Sequence, residues 1–474
     1  LLRVDGFLQE FVTPVVKVWR GSGRGRDIRS FFSLAEYNVF KRCTEEKKDW
    51  RAKYYKGLGT STAQEAKEYF GDIRNHVLSF VWEGEHDGEA IDLAFNKKRA
   101  DDRKEWINAC TESNCVDHTA SKLTYHDFVY KELVQFAKYD VQRSVPSMVD
   151  GFKTSQRKVM YGVFKKDLQH DIKVAQLVGY ISEHSSYHHG EASLENTIVN
   201  LAQDYVGSNN INLLHPSGQF GTRLQGGKDR AAARYIHTRL AEATRLLFST
   251  EDDAVLERLE EEGQVIEPKW YCPVIPLVLV NGAEGIGVGW STFVPNHDPR
   301  QVIKNVRSII KGHPLEELLP WYKGFKGSVL PSGESGKFDV VGKIEKKDDT
   351  TLEITELPVK TSVQSYKEFL ESILAPHCVE EEQQERCSGL LIEEYREYHT
   401  DRSVHFIVTL TQEKMLEAER QGFEKVFKLR STIPITNMVL FNADGQLTKY
   451  NSAISILHDF CKVRRQMYEA RKTH

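Results

Sequence analysis

Apolar and polar positions alternate over residues 1–18 and end in VVKVW, a pattern that predicts a helix leading into a strand. In KYYKGLGTSTAQEAKEYF, residues 53–70, Gly57 and Gly59 interrupt a strand pattern. A helix should open near Ser61 or Thr62, with Glu65 completing a capping box. Residues 82–122 are mostly charged; they predict one amphipathic helix around 90–110 leading into a linker, with Asp87, Asp101 and Asp102 on a solvated face. From Ser144 the texture changes: Pro146 and Gly151 bracket a turn, and residues 156–164 form a basic amphipathic helix suited to lie against a phosphate backbone. The apolar run CPVIPLVLV, 272–280, predicts a buried strand. Residues 300–440 mix helix-like runs (VIKNVRSIIKG) with alternating ones (VHFIVTLTQEK), the pattern of a separate α+β domain. AISILHDFCKVRRQMYEARK closes the chain as an amphipathic helix. No internal repeat or low-complexity tract is present.

A chain of 474 residues has room for about three domains. Its 40% hydrophobic and 28% charged residues are those of an ordinary globular protein. The nine-residue apolar run falls far short of the roughly 18 residues a membrane span needs, so no membrane partner is expected. No signal peptide is visible, and the opening Leu-Leu-Arg suggests a segment of something longer. Seven cysteines without a C-x-x-C pair fit neither a zinc ribbon nor a disulfide framework, which points to a reducing intracellular compartment. The net charge of −4 excludes nucleic-acid binding by bulk charge and leaves it to local patches. One such patch contains Arg157, Lys158, Lys165, Lys166 and Lys173, with Lys153 just ahead of it.

The second patch is GQFGTRLQGGKDRAAARYIH, 218–237, where Arg223, Lys228, Arg230, Arg234 and His237 surround Tyr235. Gly218, Gly221, Gly226 and Gly227 would let the backbone approach a ligand. A tyrosine hydroxyl, with an ordinary pKa near 10, needs adjacent positive charge to act as a nucleophile, and Arg234 can supply it. The same window also fits a tyrosine packed by its ring with solvated arginines around it. Lys56, in the Lys-Gly-x-Gly turn before the helix of residue 62, is placed for a phosphate contact, or for solvent. His184 and His188 have the i, i+4 spacing of a zinc pair, but no Glu or Cys completes a ligand set. The glycines of GSGRGRD and NGAEGIGVGW lack dinucleotide or phosphate-loop spacing.

Four segments in order, YYKGLGTST, SVPSMVDGFKTSQRKVMYGVF, SSYHHGE and GGKDRAAARYIHTRL, resemble those of eukaryotic type IIA DNA topoisomerases. The resemblance covers nearly the whole chain and implies an α+β multidomain protein. Its parts are the C-terminal part of a Toprim α/β domain with a linker (1–120), a winged-helix domain that binds and cuts DNA (121–305), an α+β tower domain (306–440) and the start of a coiled-coil arm (441–474). It implies that Tyr235 cleaves double-stranded DNA through a 5′-phosphotyrosyl link, with Arg234 and His189 stabilising the transition state. His188 would support His189, Lys56, Lys153, Arg157, Lys158, Arg223 and Lys228 would contact DNA, and Ile286 would wedge between base pairs. It further implies a homodimer in the nucleus, Mg²⁺ held by residues upstream of this segment, and ATP used by an ATPase domain also upstream. The chain departs from the family pattern at Thr154-Ser155, where Pro-Gly is usual, at Arg230, where serine is common, and at Ala233, where proline is frequent. A non-enzymatic chromosomal relative that keeps only the DNA-binding surface is the competing reading. An α/β enzyme using the 281–289 glycines for a nucleotide is a remote third.

Overall fold

The computed structural model describes residues 1–21, 27–43, 50–55, 59, 61–111, 116, 120–187, 189–261, 264–374 and 392–474. They form two compact units, Leu1–Val141 with Gly287–Trp290, and Gln142–Ile286 with Ser291–His474. The units divide after residue 141, whereas the expected domains divide after residue 120. The reason is apolar: Leu123, Tyr125, Val129, Val134 and Ala137 are buried, so the predicted linker continues into packed helix.

In the first unit Val16–Arg20 is the central strand of an antiparallel sheet, between Asp27–Phe31 and Arg51–Tyr54. A second sheet places Val77–Val81 between Gln9–Phe11, antiparallel, and Lys122–Thr124, parallel. The helix expected at the start of the chain is replaced by turns and the strand Gln9–Phe11, because an alternating pattern buries one face only in extended backbone. The helix Ala63–Gly71 opens as predicted: Thr62 Oγ1 accepts from Glu65 N, and the Glu65 carboxylate accepts from Thr62 N.

The charged stretch after residue 82 holds two helices, Glu85–Phe95 and Ala100–Asn108, which bury Ala90, Leu93, Trp106 and Ile107. Asp101 and Asp102 are paired with Lys104 and Arg99 at the surface, as a solvated face requires. Asp87 is different and corrects the expectation. It is fully buried, its Oδ2 accepting from Glu83 N at 2.8 Å and its Oδ1 from His126 N at 2.8 Å. An N-terminal helix position offers backbone donors that a buried carboxylate can satisfy.

The second unit is built on the helices Thr154–Lys165, Val174–His184 and Glu191–Ala202 and a three-stranded antiparallel sheet. His237–Leu240 is the central strand, between Ile172–Lys173 and Leu214–Ser217. The helix Thr154–Lys165 is buried from Arg157 to Phe164, so the predicted amphipathic helix has no broad solvent face. The expected strand at 272–280 is a short helix, Leu277–Val280, with all four residues buried. Pro273 and Pro276 lack the N–H groups a strand ladder needs, and Pro276 instead precedes the helical turn.

One core runs from Met148 through Val302 to Met467, and a separate one spans Leu352 to Leu429. The second lies on the four-stranded sheet ordered Lys343–Lys346, Thr351–Glu356, Phe406–Thr409, Glu394–Glu397. The α+β pattern of 300–440 is therefore present, but the helix Pro299–Lys311 and the strand Met438–Phe441 bury residues in the first core, inside the limits expected for the separate domain. The terminal helix Ala453–Thr473 also joins that core, through Ile456, Leu457, Phe460 and Val463. Its Arg464, 4% exposed, donates to Asp252 Oδ2 at 2.6 Å and to the Cys272 carbonyl at 2.9 Å. Over this length the helix is a packed element.

His297 supplies a pH test of this core. It is buried among Asn210, Leu279 and Val280, with Nδ1 3.0 Å from the Leu279 carbonyl. Burial pushes its imidazole down to about 4, against partial compensation from backbone carbonyls. The unfolded chain, whose histidine titrates near 6.5, thus binds a proton that the folded one refuses. Stability present above that pH should be lost as pH falls toward 4, by about 3 kcal/mol. Urea unfolding at stepped pH measures this, and His297→Gln should flatten that part of the profile.

Candidate functional site

The segment between the strands Leu214–Ser217 and His237–Leu240 is held by its own hydrogen bonds. Asp229 Oδ1 accepts from Thr222 N at 2.8 Å, Gly227 N donates to the Thr222 carbonyl at 2.8 Å, and Ala231 N donates to the Gln219 carbonyl at 2.9 Å. The glycines close this loop rather than opening it to a ligand. At Gly221 (φ 98°) an added Cβ would lie 2.5 Å from the Gly227 carbonyl oxygen, and at Gly227 (φ 83°) 2.6 Å from Gln203 Nε2. Tight packing behind the loop leaves its far side for display.

That display is a pair of residues. Ala233 and Ile236 are buried, and their carbonyls accept from Ala175 N at 3.2 Å and Val174 N at 3.0 Å, at the start of the helix Val174–His184. Between these anchors Arg234 and Tyr235 are exposed, Tyr235 by 66%. The Arg234 guanidinium carbon stands 4.9 Å from the Tyr235 ring centroid, a cation–π distance. An exposed phenol with a cation over its ring can approach an extended anionic substrate, which a core tyrosine cannot.

Arg230, one of the departures from the family pattern, has a defined place: its Nη2 donates to Asn196 Oδ1 at 2.8 Å. Asn196 lies on the helix Glu191–Ala202, which begins just after His189. The turn of His189 and the loop of Tyr235 are therefore tied through one side-chain bond that sequence spacing could not have revealed. His189 is exposed, its ring 5.5 Å from that of Tyr187. His184 Nδ1 bonds the Tyr180 carbonyl and its ring stacks on Tyr180 at 4.1 Å. His188 and Lys56 lie outside the described residues.

Three cations expected at a DNA surface are instead internal. Arg157 donates to Asp150 Oδ2 at 2.8 Å and to the Phe152 carbonyl. Lys158 meets Glu267 at 2.9 Å and donates to the Ser185 carbonyl. Arg223 meets Glu356 Oε1 at 2.5 Å and donates to the Leu357 carbonyl at 2.7 Å. All three are less than 10% exposed. A buried charge costs several kcal/mol unless paired, so each is committed to its carboxylate and is not available to a phosphate. Lys153 is half-buried, and burial lowers its ammonium pKa, with Glu284 opposing. Lys228 is exposed, as a phosphate contact must be.

Ile286 is 79% exposed on the strand Ala283–Gly287. Its neighbour Gly285 is buried, and a Cβ there would stand 2.1 Å from the Ser144 carbonyl oxygen. Only glycine lets the strand pass so close, and the apolar tip is held outward as a result. Among the described residues no group of three or more His, Cys, Asp or Glu side chains could hold a metal ion. Among the described residues no helix is long and apolar enough to cross a membrane.

Residues 143–474 match the family model of the DNA gyrase/topoisomerase IV A-type chain, and residues 11–141 that of the C-terminal associated domain of TOPRIM. The chain belongs to the DNA gyrase/topoisomerase IV family, and its mixed α/β architecture is that of these two modules. It is 50% identical over its whole length to the DNA topoisomerase 2 of Plasmodium falciparum, of which it covers 33%. To that of Arabidopsis thaliana it is 48% identical, covering 32%. Against human DNA topoisomerase 2-alpha the values are 47% identity over 98% of this chain and 30% of the human protein. The chain thus spans about a third of the length of these relatives. A crystal structure of the Plasmodium falciparum topoisomerase II DNA-binding, cleavage and re-ligation domain superposes with a TM-score of 0.81 at 49% identity, covering all of this chain and 62% of that one.

The two classes of arginine are separable by stability. Arg223→Ala leaves Glu356 buried without its partner and should cost about 3–5 kcal/mol in urea unfolding. Arg234→Ala, at an exposed position, should stay within about 0.5 kcal/mol of the parent.

Proposed function

We propose that this chain is the breakage-reunion part of a type II DNA topoisomerase, acting on double-stranded DNA through Tyr235. The observation that carries the proposal is the exposed Arg234–Tyr235 pair held between buried Ala233 and Ile236. The family membership supports it, as does the likeness to the DNA-binding, cleavage and re-ligation domain of Plasmodium falciparum. The three helices and three-stranded sheet around the pair support a winged-helix reading, and the separate core at 352–429 a tower.

In the reaction, the Tyr235 oxygen attacks a backbone phosphorus and forms an O–P bond to the 5′ side. The P–O bond to the 3′ oxygen breaks, and that oxygen takes up the proton the phenol gives up. Attack by the 3′ hydroxyl on the phosphotyrosine reverses every step, so resealing needs no separate energy source. Arg234 neutralises charge on the phosphoryl oxygens, with His189 as a second donor; fixed donors aimed at developing charge are the strongest stabilisation such a site can supply. Lys228 and Lys153 position the backbone, and Ile286 enters between base pairs to bend the duplex.

Two cuts in a duplex need two tyrosines, so the working unit is a symmetric homodimer. Mg²⁺ ligands and an ATPase domain would belong to the longer protein, and the biological setting would be decatenation of chromosomes in the nucleus. Covalent capture tests the reading: the chain and its Tyr235→Phe variant are incubated with end-labelled DNA and Mg²⁺ and denatured quickly. Label retained on the parent and lost on the variant is expected. Label on neither, with binding to DNA intact, would favour a non-enzymatic DNA-binding relative or a metal site lost with the upstream residues, and restoring those residues separates the two.

Binding itself should weaken with salt. Replacing Lys228 by Ala should lower affinity similarly for all sequences and reduce the slope of log affinity against log salt by about 0.9, as for the loss of one phosphate contact. A slope unchanged in this variant, measured by fluorescence anisotropy, would remove Lys228 from the DNA surface.

A further inference from the structure

Apart from the tyrosine loop, the second unit contains a cavity of about 410 Å³ beside the helix Thr154–Lys165, a size within the usual range for small-molecule sites. Three aromatic rings line it. Tyr161, Phe164 and Tyr271 are each less than 10% exposed, and the Phe164 and Tyr271 rings meet edge to face at 5.3 Å. Two cations stand at its rim, Lys165 with Nζ 5.5 Å and Arg258 with its guanidinium carbon 5.7 Å from the Tyr161 ring centroid. Both are exposed, and neither guanidinium nor ammonium is locked in a buried ion pair as Arg157 and Lys158 are. The one carboxylate in the wall, Asp253, faces Arg245 at 3.6 Å, so the rim keeps an excess of positive charge.

The second observation concerns Tyr271. Its side chain is 3% exposed and lines the cavity, yet its hydroxyl has no hydrogen-bond partner among the described residues, whereas the Tyr161 hydroxyl donates to the Val265 carbonyl at 3.1 Å. The ring is buried while the hydroxyl opens into the cavity, where an acceptor on a bound molecule can take its hydrogen bond. Burial also raises the Tyr271 pKa, so the group there is a donor and not an anion.

We propose that this cavity is a binding site for a small aryl carboxylate, a flat ring bearing one anionic group. The ring lies among Tyr161, Phe164 and Tyr271, in the offset and edge-on contacts that aromatic groups prefer. The carboxylate accepts from Tyr271 and faces Lys165 and Arg258, charge-assisted bonds being the strong ones. Nothing in DNA cleavage at Tyr235 uses these residues.

Isothermal titration of the 474-residue chain with 2-naphthoate, 2-naphthamide and cyclohexanecarboxylate tests this. Saturable one-to-one binding of 2-naphthoate is expected, with each comparison compound about tenfold weaker or more, the scale of a lost charge-assisted bond or lost ring contact. The Lys165→Ala/Arg258→Ala double variant, which changes only exposed side chains, should lose about tenfold in affinity for 2-naphthoate at unchanged urea stability, and Tyr271→Phe a smaller amount. Equal binding of the amide, absence of saturable binding, or full affinity in the double variant would each overturn the proposal. The selectivity among the three compounds is read on the parent chain and so stands apart from any folding defect in a variant.

Discussion

The second unit depends on the buried ion pair of Asp150 and Arg157. Asp150 is fully buried and its carboxylate accepts four hydrogen bonds. Two come from Arg157, at 2.8 and 3.0 Å, and two from backbone N–H groups of Phe152 at 2.9 Å and Tyr271 at 3.0 Å. These bonds join three pieces of chain, the turn before residue 152, the helix Thr154–Lys165 and the segment leading into Leu277–Val280. Gly151, at φ 74°, lies so close to Val278 that a Cβ would meet its backbone at 2.9 Å. The ion pair and this contact together set where the first helix starts. The other helices, and the loop they carry, are packed from there.

The same constraint decides which cations can face a nucleic acid. Exposed ion pairs are worth roughly 0–1 kcal/mol and yield readily to a phosphate. Removing one partner of a buried pair costs about 3–5 kcal/mol, which no single phosphate contact repays. Arg157, Lys158 and Arg223 are on the second side of that comparison, whereas Arg234 and Lys228 are exposed. A charge count along the helix thus overstates its affinity for DNA. Of these cations, the exposed ones are those of the loop tips, Arg234 and Lys228.

Much of this was legible in the chain itself. The Thr62–Glu65 cap, the helix at 299–311 and the strands of the third region follow from spacing alone, because helix caps and alternation are local properties. The surroundings of Tyr235 were legible as a charged window, and the resemblance of four ordered segments gave the family that the comparisons bear out. What could not be read was the destination of each charge. Lys158 finds Glu267 across 109 residues and Arg223 the Leu357 carbonyl across 134, and no local pattern announces such partners. Asp87 looked solvated because its neighbours are polar, yet its acceptors are filled by the backbone of a helix start and of His126. The run 272–280 has the apolarity of a strand, but its two prolines forbid one.

The exposed groups share a layout that fixes the direction of a loop side chain while leaving it accessible. Arg234 and Tyr235 stand between Ala233 and Ile236, both buried and both bonded through their carbonyls to one helix start. Ile286 stands beside Gly285, which is pressed against the Ser144 carbonyl. In each case the outward residue is fixed by an inward neighbour one position away, so backbone freedom is removed while the side chain stays accessible. Loss of that freedom before the substrate arrives lowers the entropic cost of reaching a reactive geometry. Ala233 fits the arrangement where the family often has proline: its methyl group is buried, and the carbonyl that anchors it is one that either residue supplies. The departure therefore leaves the anchoring intact, and with it the direction in which Tyr235 points.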